Sequence, residues 1–295
     1  MILVVGSYGA GITARVPRMP EAGETIGEST VSIGHGGKSS NQAVTIARQG
    51  CAVQILTAIG NDSFGTSAKE LWVREGVGHE QVKVVENSTM SGIILVEPNG
   101  ENRIAIAPGA LSELTPGDMD QNIAAFKAAD VVVVCLEIPI KAAERAITLA
   151  KECGAIVVLN PAPAAALNPD VIAQTDYFIP NQTEYEFYLE QGYNPPAGQT
   201  LVVTQGQDGV MIQHGDTEHH APPFPQSNVV DTTGAGDTFV GTFAAAIASG
   251  LALVPAVQRA IVASSLSVTV AEVIPSIPDA QTVDLKLSEY LKNIN

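Results

Sequence analysis

Asp231-Thr232-Thr233-Gly234-Ala235-Gly236-Asp237, running on into Thr238-Phe239-Val240-Gly241 and a long aliphatic stretch, is the segment that decides how this chain is read. Glycines at 234 and 236 let the backbone turn and leave its N–H groups pointing outward where a helix begins. Such a start is an anion hole, suited to the negative charge on a transferring phosphoryl group. Asp237 then lies beside the anion, a poor place for a group meant to stabilise negative charge. It is a good place for one that takes a proton from an attacking hydroxyl. An Asp that merely complements the helix dipole is the alternative. The flanking glycines, the second acid at Asp231 and the apolar helix behind favour the catalytic reading.

Outward from that segment, aliphatic runs of strand length recur at residues 2–5, 53–57, 131–135, 156–159, 177–179 and 201–204. Helical composition lies between them at 41–48, 66–75, 140–153 and 184–190. From 235 to 271 nearly every residue favours helix, with a break near 250–255. This β-α-β-α order predicts an α/β fold, a mostly parallel sheet sandwiched by helices, in a single domain over residues 1–295. No repeat, low-complexity tract or linker divides it. Two stretches, about 11–34 and 89–108, break the rhythm. The first is rich in Gly, Pro and Thr; the second reads as short strands at 92–96 and 103–107 around a Pro98-Asn99-Gly100 turn. Together they predict a small antiparallel β-sheet standing off the main one.

Bulk properties narrow the function. Hydrophobic residues make up 45% of the 295 and charged ones 16%, enough for a large core. Aromatics are only 5%, so the core is aliphatic, as buried parallel strands require. The net charge is −16, from 31 acidic against 15 basic residues. A surface so acidic repels nucleic acid and anionic lipid, and neither is expected as a partner. Any ligand phosphate must be held locally, by helix N-termini, backbone N–H groups, a few lysines and Mg²⁺. Cys51, Cys135 and Cys153 lack metal-ligand spacing and fit buried thiols of a cytoplasmic protein. Met1-Ile2-Leu3-Val4-Val5 has no basic stretch and reaches Gly6 at once, so no signal peptide is expected. The most apolar stretch, 243–257, is cut by Ser249, Gly250 and Pro255, and no membrane span is expected there.

Two other glycine-rich segments mislead. Gly6-Ser7-Tyr8-Gly9-Ala10-Gly11 follows a strand, but its glycine order is not that of a dinucleotide-binding turn. Ser32-Ile33-Gly34-His35-Gly36-Gly37-Lys38-Ser39 nearly matches a P-loop, but Ser32 stands where the first glycine belongs and no strong buried strand precedes it.

With these set aside, the chain resembles the PfkB/ribokinase family of carbohydrate kinases. The resemblance runs through nearly all of it, in seven segments that keep the family order. They are Gly34-His35-Gly36-Gly37-Lys38-Ser39-Ser40-Asn41-Gln42-Ala43, Gly60-Asn61-Asp62-Ser63-Phe64-Gly65, Leu136-Glu137, Asn160-Pro161-Ala162-Pro163-Ala164, Pro180-Asn181-Gln182-Thr183-Glu184, Thr204-Gln205-Gly206 and Asp231 to Asp237. The resemblance implies a ribokinase-like fold, ATP and Mg²⁺ as cofactors, and a small sugar as the acceptor. It places Asp237 as general base, with the backbone of Gly234, Ala235 and Gly236 as anion hole. Gly37, Lys38, Asn41 and Glu137 become sugar contacts, and Asn181, Thr204, Gly206 and Gly236 nucleotide contacts. Glu184 would act on Mg²⁺ indirectly, for which the alternative is an Asn181 N-cap with an exposed helix acid. The two strand pairs would form a lid that excludes water and builds a homodimer.

Three features depart from the family pattern. Gly9 and Gly11 stand where an Asn and an Asp usually hold sugar hydroxyls, a loss of a few kcal/mol of recognition unless Thr13 or Arg15 compensates. Asp231, Thr233 and Ser276 keep half of a K⁺ site, but Glu272 takes the position of a glycine. Between Glu190 and Leu201 a helix is missing, which trims the outer layer without touching the catalytic residues. His35 is read as structural, His214, His219 and His220 as a solvated turn, Trp72 as core, and 285–291 as an amphipathic packing helix. The expected reaction is ATP-dependent phosphorylation of the primary hydroxyl of a pentose such as D-ribose. The alternatives are a kinase for a nucleoside, hexose phosphate or modified sugar, and a non-catalytic sugar- or nucleotide-binding regulator on the same fold.

Overall fold

The structure is a computed structural model and describes residues 1–294. The chain opens with β1 (Ile2–Val5), every residue of which is buried, and turns into β2 (Gly9–Arg15) and β3 (Thr30–Gly36). Helix α1 (Lys38–Arg48) leads back to β4 (Val53–Leu56), followed by the short β5 (Ala58–Gly60), α2 (Ser63–Glu75) and β6 (Lys83–Val85). A hairpin, β7 (Ser91–Val96) and β8 (Asn102–Ala107), precedes α3 (Pro116–Gln121) and α4 (Ile123–Ala128). Then come β9 (Val131–Cys135), α5 (Ile140–Glu152), β10 (Ile156–Asn160), α6 (Pro169–Ile172), β11 (Tyr177–Phe178) and α7 (Gln182–Glu190). The last third holds β12 (Thr200–Thr204), β13 (Val210–His214), β14 (Thr217–Ala221), α8 (Ala235–Ala248), α9 (Leu253–Ser267), α10 (Val273–Ser276) and α11 (Ala280–Ile294).

The strands assemble into an eight-stranded sheet ordered β14-β13-β12-β11-β10-β9-β1-β4. Its pairings are parallel from β4 to β12, and the last two, β12–β13 and β13–β14, are antiparallel. Alternation along β1 explains the two layers. Ile2 and Val4 point into a core with α1, α2, α8 and α9, while Leu3 and Val5 point into a second core with α3, α4 and α5. Trp72 is fully buried in the first of these, as its place on an apolar helix face predicts, and its indole N–H donates to Ser40 Oγ at 2.9 Å.

A separate sheet, ordered β3-β2-β7-β8, stands over one edge. It consists of the two antiparallel pairs expected from sequence, joined by a parallel pairing of β2 with β7. In register, Gly34, Gly11 and Gly92 form a glycine row across it, and Ile33, Ile12 and Ile93 an apolar row on the opposite face. Three boundaries differ from the sequence reading. Helix α1 starts at Lys38 rather than 41, because its polar first turn is buried; α2 starts at Ser63 because Asp62 caps it, accepting from Gly65 N. The break in the long helical stretch falls before Leu253. Pro255 instead sits in the first turn of α9, where its missing N–H costs nothing.

The short segment between α7 and β12 closes directly. Tyr193 donates from its hydroxyl to Gln199 Oε1 at 2.5 Å and packs on Phe178, with ring centroids 4.8 Å apart. His214 and His220 lie in the β13–β14 hairpin, hydrogen-bonded to Thr200 Oγ1 and the Asp208 carbonyl, and among the described residues no group of three His, Cys, Asp or Glu could hold a metal. No described helix is long and apolar enough to cross a membrane.

Candidate active site

The site is built where two helix starts meet. Helix α8 begins after Gly234, whose φ of 78° and whose approach to Val273 (a Cβ would lie 2.4 Å from Cγ1) both require glycine. No side chain caps this terminus; Ala235 N reaches the Thr232 carbonyl at a long 3.3 Å, and the helix start is otherwise open to a ligand. Further along, Gly241 lets α8 lie directly on α1, since a Cβ there would meet the Thr45 Cβ at 2.6 Å. One turn earlier on both helices, the same closeness puts Asp237 against Asn41, whose Nδ2 donates to Asp237 Oδ2 at 2.8 Å. The start of α1 is fixed in a similar way. Gly37 has a φ of 89°, and a Cβ on it would sit 2.5 Å from the Tyr8 Cα. Lys38 N and Ser7 Oγ both donate to Glu137 Oε2, at 2.9 and 2.5 Å.

Lys38, Asn41, Glu137 and Asp237, named from three separated places in the sequence, are thus brought into one recess. Asp237 is only 7% exposed, and burial pushes its carboxyl up to about 6. The Lys38 charge and the Asn41 N–H oppose that rise, and the Glu137 carboxylate adds to it. Burial works against the Lys38 ammonium too, but the fields of Asp237 and Glu137 outweigh it and hold its pKa above the ordinary value. The result is a carboxyl group poised near neutrality beside a permanent cation.

On the other side of the α8 start lies a cavity of about 670 Å³, lined by Asn181, Thr204, Gly206, Phe224, Ala235 and Ser264 among others. The expected nucleotide contacts Asn181, Thr204 and Gly206 therefore share one wall, and Gly236 borders a smaller adjoining cavity with Thr204 and Gly206. Phe224, Ser264 and Val268 were not read from sequence. Their only signal was the Pro222-Pro223-Phe224-Pro225 run, since α9 contributes through its packing face. Asn181 and Glu184 form a reciprocal capping box at α7: Asn181 Oδ1 accepts from Glu184 N at 2.8 Å and Glu184 Oε2 from Asn181 N at 2.9 Å. Glu184 is not the exposed helix acid of the alternative reading; it is 8% exposed, and burial raises its pKa. Such a partly committed carboxylate fits a Mg²⁺ that arrives on phosphates with its water shell, not a protein cage.

Asp231, Thr233 and Ser276 lie in one cluster, but their polar atoms are already partnered. Asp231 accepts from Thr233 N at 2.9 Å and from Glu272 N at 3.2 Å, and Ser276 Oγ donates to the Val273 carbonyl at 2.8 Å. Burial alone would raise the Asp231 carboxyl; the N–H of Thr233 and Glu272, with the Arg15 charge, hold it below its ordinary value. A carboxylate oxygen with one N–H partner and a hydroxyl that donates its proton both keep lone pairs free, so the donor set is compatible with a K⁺ ion. Arg15 shares the lid face of Gly9 and Gly11 in the β2 alternation, which turns that face toward the cleft. The space beside Gly9 is filled, since a Cβ would meet the Met90 methyl at 2.2 Å. Gly11 is open, with nothing closer than 3.8 Å. His35 lies on the other face, where its Nδ1 pairs with the Tyr8 hydroxyl at 3.0 Å.

Residues 1–280 match the model of the pfkB family carbohydrate kinases. The chain belongs to this family. It is thereby an ATP-dependent carbohydrate kinase, a phosphotransferase with an alcohol acceptor. It is similar to a ribokinase of Schizosaccharomyces pombe, 32% identical over 306 residues that cover 96% of each chain. A deoxyribokinase of Salmonella typhi is 32% identical over 289 residues, covering 91% of this chain and 92% of that one. Among solved structures, an Arabidopsis thaliana ribokinase complexed with ribose and ATP superposes with a TM-score of 0.89 at 28% identity, over 97% of each chain. The ribokinase-like fold and the mixed, mostly parallel sheet expected from sequence are those observed.

Proposed function

We propose that this chain moves the γ-phosphoryl group of ATP to the primary hydroxyl of a small sugar, most simply a pentose such as D-ribose, with Asp237 as general base. One observation carries the reading: a buried carboxylate poised near pH 6 in the first turn of α8, beside an uncapped helix start and facing Lys38. In the step, the acceptor oxygen attacks the γ-phosphorus and its proton passes to Asp237. The bond to the β-phosphate oxygen breaks, and ADP leaves. The N–H groups at Gly234, Ala235 and Gly236 meet the charge spread over the transferring group. A Mg²⁺ ion held through Glu184 would neutralise part of that charge. Asn41 and Glu137 hold the sugar, and Lys38 supplies a fixed cation. The lid shuts out water so that the nucleotide is not hydrolysed. Asn181, Thr204, Gly206 and Gly236 line the nucleotide side, and Glu184 would act on the metal through water.

The choice of acceptor rests on the lid. A ribokinase and a deoxyribokinase are equally similar to the chain, at 32% each. The cleft-facing row Gly34, Gly11 and Gly92 offers no side-chain hydrogen bond, and nothing lies within 4 Å of a Cβ on Gly34 or Gly92. That bare row favours, as a second reading, an acceptor with fewer hydroxyls or a larger substituent under the lid. Release of ADP across a panel of pentoses, deoxypentoses, nucleosides and hexose phosphates tests both. Binding without turnover by every member would overturn the kinase assignment in favour of a regulator.

A further inference from the structure

Gln42 follows Asn41 on α1 and is fully buried, and Asn160 ends β10 at 8% exposure. Asn160 Nδ2 donates to the Ile179 carbonyl at 3.0 Å. A peptide carbonyl only accepts, so this contact fixes which end of the Asn160 amide is which. Its Oδ1 is left facing Gln42 and accepts from Gln42 Nε2 at 3.0 Å. That bond in turn fixes the Gln42 amide, and the same Nε2 lies 3.5 Å from Asp237 Oδ1. A backbone carbonyl two side chains away therefore decides that the base is faced by an N–H.

The opposite orientation would set an amide oxygen against the carboxylate. Two acceptors in a dry site repel, and Asp237 would be driven to its protonated form, in which it cannot act as base. The arrangement has a visible cost. Asn41 Oδ1 and Gln42 Oε1 are both buried without a hydrogen-bond partner, because both amides turn their nitrogens to Asp237. Stability alone would not select two stranded acceptors. The charged groups facing Asp237 are Lys38 from α1 and Glu137 after β9, with the Cys135 thiol at the end of β9. None of these sets the polarity of the Gln42 amide.

We propose that Gln42 and Asn160 are positioning residues for the general base: a buried amide relay anchored on the Ile179 carbonyl that keeps Asp237 aligned and ionised. The proposal rests on the reading of Asp237 as the base, and the test separates the two. In Gln42→Met the acid limb of kcat/KM against pH moves up by about one pH unit, so activity falls about tenfold below the limb and little on the plateau above it. Asn160→Leu frees the Gln42 amide to turn and moves the limb in the same direction. A purely structural role would instead scale activity equally at every pH. Loss of turnover in Asp237→Asn, together with an unmoved limb in folded Gln42→Met and Asn160→Leu, overturns the relay alone. Retained turnover in Asp237→Asn overturns the base itself, and the relay with it. Should both variants fail to fold, the wild-type protein decides. The Gln42 side-chain ¹⁵N resonance titrates with the midpoint of the acid limb if the relay holds, and a flat signal across that range overturns it.

Discussion

At the residue scale, Asp237 carries opposite demands for stability and for chemistry. Its folded pKa, about 6, lies above the ordinary 3.8, so the folded chain binds that proton more tightly than the unfolded one. Stability from this group is therefore present below pH 3.8 and is lost as pH rises toward 6. The gap corresponds to about 3 kcal/mol as an upper bound. Asp237→Asn, which keeps shape and removes the charge, is expected to melt at or above the wild-type temperature at pH 8 while losing most turnover. Calorimetry and an ADP-release assay on the same sample check both halves. Near wild-type kcat would remove the base assignment. Glu272 is the second residue under tension, with φ 67° and ψ 148°, a region that glycine tolerates and other residues enter at about 1–3 kcal/mol. Glu272→Gly should raise the melting temperature. Because Asp231 and Ser276 keep lone pairs beyond their bonds to Thr233, Glu272 and Val273, turnover of the wild type should be higher in K⁺ than in choline salts; equal turnover in the two would contradict a cation site there.

At the scale of elements, the lid strand β2 is where acceptor preference can be tested without touching the base. Gly11 opens onto free space, so Gly11→Asp should fold normally and place a carboxylate over the cleft. For a pentose acceptor its KM for D-ribose should fall about tenfold, the effect of one hydrogen bond to a charged group. An unchanged or higher KM would favour the less hydroxylated acceptor. Gly9→Asn is a different matter, because Met90 must first vacate the space, and the pair Gly9→Asn/Met90→Gly is the fair comparison. The same contrast shows what sequence reading reaches. The turn at Asp231 to Asp237 was legible because its chemistry is local: glycines, a helix start and an acid within one stretch. The central strands were legible because parallel strands buried on both faces read as unbroken aliphatic runs. The first turn of α1 was not, since Lys38, Ser39 and Ser40 read as loop until their burial against Ser7 and Trp72 is seen. The bond from Gln42 to Asn160 was hidden for a plainer reason: it joins residues 118 apart, and neither residue type advertises a partner.

At the scale of the whole molecule, the two faces of the lid argue for a second copy of the chain. The pleat sends Gly9, Gly11, Thr13 and Arg15 of β2 to the cleft, and Ala10, Ile12 and Ala14 to the other side. In register with the latter are Val31 and Ile33 of β3 and Ile93 and Leu95 of β7. Val31, Ile33 and Ile93 are 63%, 63% and 52% exposed, a continuous apolar surface on an otherwise acidic protein of net charge −16. Scattered exposed aliphatics need no explanation, but three on one face of one small sheet do. A symmetric pairing of two such faces would bury them and brace the lid, as the sequence resemblance implies for a homodimer. Light scattering at micromolar concentration should return twice the 30.6 kDa chain mass. Ile33→Glu, at an exposed position on the face of the lid away from the glycine row, should shift the mass to that of one chain. If the lid needs its partner to stay closed, the variant should also lose affinity for the acceptor and waste more nucleotide on water. A single-chain mass for the wild type would leave the apolar face without the occupant argued here.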